Sequence, residues 1–102
     1  MMVRRDMDGR HDQLLRELTE ERAAALLRIS RTLESLIAQL HAVRQRLGQA
    51  DDASREHERR LYADLRARAV QYRWYLEVQR EALGLRHHHM LDEFYAIPDA
   101  EP

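Results

Sequence analysis

The histidines and arginines carry most of the chemical potential of this chain. His87, His88 and His89 are consecutive, and Asp92 and Glu93 follow closely. On a helix, His88 pairs with Asp92 and His89 with Glu93 at i,i+4, where an imidazole and a carboxylate can share one metal ion. A hairpin of long helices brings His11 to the same end of the molecule. His11, His88, His89, Asp92 and Glu93 are therefore the candidate ligands for zinc or another transition metal. A pH sensor is a further reading of such a histidine cluster. Against a metal stand two facts. Three adjacent helical residues point three ways, and the chain has no His-x-x-x-His or Glu-x-x-His pair. The expectation is a polar surface cluster without a cofactor, with metal binding or sensing as the alternative. His41 and His57 are isolated and read as surface residues.

All 17 basic residues are arginine, so lysine-dependent chemistry is excluded. Arg59, Arg66, Arg73 and Arg80 recur every seven residues and form one stripe along the second helical segment. Glu56 and Glu77 can serve some of them within that helix, but Arg66 has no acid three or four residues away on the matching side. Such a stripe suits an acidic surface: a partner protein, a phosphate backbone, or this chain's own tail. From His87 to Pro102 that tail carries four acids and no arginine. Nucleic acid is the least favoured of the three, because the stripe lacks clustered basic neighbours and the net charge is −1.

These residues need elements to hold them. Glycine occurs only at 9, 48 and 84 and proline only at 98 and 102, so two long stretches run without a helix breaker. Leu26, Ile29, Leu33, Leu36, Leu40, Val43 and Leu47 form a 3–4 repeat, and Tyr62, Leu65, Ala69, Tyr72, Leu76, Gln79 and Leu83 form a second. A mean spacing of about 3.5 residues is that of coiled-coil-like packing. Gly48 and Gly84 read as C-terminal stops, with Asp51, Asp52 and Ser54 as cap candidates between them. Asp8 or Asp12 can cap the first helix. The short connection predicts antiparallel neighbours, with residue i facing roughly residue 101 − i. Arg22 and Gln79 then face each other as a polar core layer that fixes register. A third, short helix is expected near His88 to Tyr95, followed by a frayed end.

The second helix has a further apolar row, Ala63, Ala67, Val70, Trp74 and Val78. Positions 70, 74 and 78 point about 200° away from the seam, and a helix apolar on opposite sides wants a partner on both. A second hairpin packed there gives a homodimeric four-helix bundle. A tail folded back through Leu91, Phe94 and Tyr95 gives a three-helix monomer. The dimer is the reading taken.

Enzyme signals are weak. There is no cysteine and no glycine-rich phosphate loop, and no Ser or Thr sits in a nucleophile turn. The stretch from Asp12 to Arg22, followed by Asp52-Ala-Ser-Arg55-Glu56, loosely resembles the all-helical chorismate mutases, which hold a dicarboxylate with arginines, a lysine and a Gln or Glu. Here the lysine and the third long helix are missing, so no site residue is carried over.

The chain has 102 residues, 34% charged and 44% hydrophobic, enough for one small domain. No apolar run approaches the ~20 residues of a membrane span. The basic N-terminus has no apolar stretch behind it, so no secretory signal is expected, and the cytoplasm is the expected compartment. The expected architecture is all-α: an N-terminal arm over 1–11, a long antiparallel helical hairpin over 12–84, and a short C-terminal helix with an acidic tail over 85–102. The expected role is a non-enzymatic interaction, scaffold or regulatory module. It would act through Val70, Trp74 and Val78, with Arg59, Arg66, Arg73 and Arg80 steering an acidic partner.

Overall fold

A computed structural model describes residues 2–102, with side chains described from Asp8 onward. Three helices follow in order: α1 Met2–Leu47, α2 Asp52–Ala82 and α3 His89–Phe94. The molecule is all-α, a long helical hairpin with a short C-terminal helix. It is a rod of 77 × 23 × 14 Å.

Each helix end has a local cause. α1 stops at Leu47, where Gly48 and Gln49 donate their N–H groups to the carbonyls of Arg44 and Arg46 at 3.3 and 3.0 Å. Asp51 caps α2. Its carboxylate accepts from the Ser54 N–H at 2.9 Å and from the Ser54 hydroxyl at 2.7 Å, satisfying donors that a helix start leaves open. The far end of α2 is a Schellman turn. Gly84 takes φ 85°, Gly84 N–H donates to the Glu81 carbonyl and Leu85 N–H to that of Arg80, both at 2.9 Å. Among the described residues Gly84 alone takes the left-handed region, and it reverses the chain. α1 begins at Met2, ahead of the expected caps Asp8 and Asp12. Gly9 costs helix stability without stopping the helix.

The core is the expected seam. Leu33, Leu36, Leu40 and Val43 of α1 pack with Tyr62, Leu65, Ala69 and Leu76 of α2. Leu26, Ile29, Leu47 and Tyr72 lie partly buried at its edges. Leu91 of α3 joins this core at 3% exposure, and Tyr95 and Ile97 pack against it. The chain beyond Gly84 is thus a strap that returns along α2. No helix among the described residues is long and apolar enough to cross a membrane.

Candidate interaction surfaces

The arginine row of α2 holds the strap. Arg80 donates to the His87 carbonyl at 2.9 Å, Arg73 pairs with the Asp92 carboxylate, and Arg66 donates through Nε to the Pro98 carbonyl at 2.9 Å. Beside them, the Tyr62 hydroxyl donates to the Asp99 carbonyl at 2.6 Å. Arg59, the fourth member, lines a cavity of about 320 Å³ at the hairpin turn together with Arg44, Arg55 and Glu101. Arginine numbers fall as tail numbers rise, so the strap runs antiparallel to α2. Three of these four arginines are therefore engaged within the chain. Asp99, expected to fray, is tied down through its carbonyl, and Pro98 is buried.

The opposite apolar row is bare. Trp74 is 59% exposed, Val70 46% and Val78 40%. Tyr75 leans on the indole at 5.7 Å between ring centres, and Gln71 donates to the Tyr75 hydroxyl at 2.8 Å. The strap does not cover this row, because the guanidinium row that binds it lies between the seam and Trp74 on the helix surface. Leu91 and Tyr95 go to the core instead, and Phe94 is left exposed.

The polar layer expected of Arg22 and Gln79 is not formed. Arg22 is exposed and Gln79 half-buried. The guanidinium reaches past Gln79 and donates to the Ala82 carbonyl at 3.4 Å. The cause is the end of α2 itself, whose last carbonyls lack helical donors and carry the negative end of the dipole.

The histidine cluster is drawn away from His11. The strap turns at Gly84 and heads toward the hairpin turn, whereas His11 lies eleven residues before Arg22, about 16 Å up the free end of α1. His88 sits 3.1 Å from the Glu81 carboxylate through Nε2, while His89, Asp92 and Glu93 are exposed. The structure does not bring His11, His88, His89, Asp92 and Glu93 together. Among the described residues no three His, Asp or Glu side chains converge on a point that would hold a metal ion.

One surface was not anticipated. α1 has 46 residues and α2 has 31, so α1 overhangs the end of α2. Every residue from Asp8 to Ala24 is exposed, including Leu14 at 53%, Leu15 at 49% and Leu18 at 40%. The two breaker-free segments, 10–47 and 49–83, are nearly equal in length, so the sequence carries no signal for the overhang; it arises because α1 continues through Gly9 to Met2. No known protein family, characterised protein or solved structure matches this chain.

Proposed function

We propose that the protein is a non-enzymatic assembly module that pairs with a second copy through the outer face of α2. The observation that supports this is the order of residues along that face. It is small at one end, with Ala63 and Ala67, and large at the other, with Trp74 and Val78. All four are exposed. A two-fold axis beside Val70 sets Trp74 against Ala67 of the second copy and Val78 against Ala63 of the second copy. Large side chains then fill the spaces above small ones, as close-packed interiors require. The same antiparallel register places Arg60 near Glu81 of the second copy, a rim contact that favours the orientation more than the affinity. A self-complementary patch of this kind is the usual basis of a two-fold dimer.

The arginine row has a smaller role in this reading. Its contacts go to the strap, so an acidic partner must first displace residues 87–99. The apolar face needs no such displacement.

Trp74 is the only tryptophan, so its emission reads this face directly. Raising the concentration from nanomolar to tens of micromolar should shift the emission to the blue and reduce quenching by acrylamide. Val70→Arg should abolish both changes while leaving the helical circular dichroism intact. Emission that stays red and fully quenchable at every concentration would end the proposal.

A further inference from the structure

We infer that the overhanging end of α1 is a second self-association surface, on which the same segment of another copy docks antiparallel. Four observations on this segment lead there.

The overhang continues the hairpin seam. His11, Leu15, Leu18 and Arg22 lie on the same helix face as Leu26, Ile29 and Leu33, by the 3–4 spacing that runs unbroken between them. Past the Arg22 contact with Ala82, α2 has ended and this face has no mate among the described residues. The described part of this face, from Arg22 back to Asp8, therefore extends about 20 Å beyond its partner helix, at about 1.5 Å per residue.

A solitary helix of this length is marginal in water. Helices in proteins draw most of their stability from packing an apolar face, and Gly9 weakens this segment further. Leu14, Leu15 and Leu18 stand exposed on it, and pairing would bury all three.

Charge selects the occupant. Residues 2–11 carry three arginines against two aspartates, whereas residues 12–21 carry four acids against one arginine. A parallel pairing would set like against like. An antiparallel pairing of two identical segments sets the acidic half, with Asp12, Glu17, Glu20 and Glu21, against the basic half of the second copy. The segment is thus complementary to itself in one orientation only.

Length selects the register. α1 itself begins at Met2, its described side chains are exposed from Asp8 to Arg22, and at Arg22 α2 begins to cover it. Full overlap of two such segments centres the two-fold axis near His11, with Asp12 beside Arg10 of the second copy. This surface is separate from the outer face of α2. A chain with two different two-fold surfaces assembles beyond a dimer.

The chain has no cysteine, so a single introduced thiol reports this geometry cleanly. His11→Cys lies on the seam at the axis and should give a disulfide-linked dimer in high yield on mild oxidation at micromolar concentration. Gln13→Cys, two residues on and on the opposite side of the helix, should give at least several-fold less. The difference should persist in a Val70→Arg background, which removes the α2 pairing, and should shrink at high salt as the charges are screened. Equal cross-linking of the two variants, no cross-linking of either, or loss of the His11→Cys product with Val70→Arg would each overturn the inference. The tryptophan readout of the α2 face is untouched by any of these outcomes.

Discussion

Arg66 donates its Nε–H to the backbone carbonyl of Pro98 at 2.9 Å, across 32 residues of sequence. That bond explains why the arginine row of α2 lacks an acidic ladder on α1. Its mates are on the strap, and two of the three direct contacts go to main-chain oxygens rather than carboxylates. The guanidinium has several donors in a fixed fork and accepts either kind of partner. Heptad spacing along α2 supplies successive clasps for a chain returning along it.

The strap should open before the hairpin does. Leu91 is its anchor in the core, 3% exposed, and truncating a buried leucine to alanine costs about 2–5 kcal/mol. The strap has few such anchors, and the Nε atoms of Arg73 and Arg80 lie buried without a partner beneath it. Local opening therefore caps the loss well below the global stability. Leu91→Ala should erase amide-exchange protection over residues 85–99 and leave that of Leu36 and Leu65 nearly unchanged. Uniform loss across both long helices would show that strap and hairpin unfold as one unit.

The reversal at Gly84 makes a second prediction. Its φ of 85° lies where an L-residue pays a steric cost, although a Cβ there would meet nothing within 4 Å. Gly84→Ala should therefore destabilise by about 1–2 kcal/mol from the backbone alone. Gly48→Ala should cost less, because Gly48 ends α1 without a positive φ and its Cβ would touch only the Gln45 carbonyl at 3.4 Å. Chemical denaturation of the two variants decides it, and equal losses would contradict the assignment of the turn.

Periodicity made the hairpin legible. The buried residues Leu33, Leu36, Leu40, Val43, Tyr62, Leu65, Ala69 and Leu76 all lie on the two repeats read from sequence. Apolar spacing carries that information because burial acts on side chains. The strap was legible only in outline. Its acids and the stripe's lack of mates suggested an approach, but backbone carbonyls accept from any arginine without marking the sequence, so Pro98 and Asp99 gave no sign of being held. Arg22 failed as a core layer for a related reason. A long side chain can leave the seam for a free helix end, and the pattern records only where its Cα sits. The bare Trp74 row was foreseen as an apolar face, whereas the overhang of α1 depended on where that helix starts, which no capping residue announces.

The start of α2 gives the pH-dependent prediction. The Asp51 carboxyl is held below its ordinary value, chiefly by the hydrogen bond from the Ser54 hydroxyl and next by that from the Ser54 N–H, with Arg55 adding a favourable charge. A carboxyl depressed in the folded state binds protons less readily there than in the unfolded chain. Its stabilising effect is therefore complete above the unfolded value of 3.8 and fades as pH falls through the lower folded value. Asp51 is fully exposed, so solvent keeps the effect modest. Asp51→Asn, which still caps but does not titrate, should flatten the part of the acid destabilisation that occurs below about pH 4. Melting temperatures of the two proteins between pH 2 and pH 6 test this. The curves should run parallel from pH 5 to pH 6 and converge toward pH 2. Curves parallel over the whole range would show that the cap contributes nothing to the acid limb.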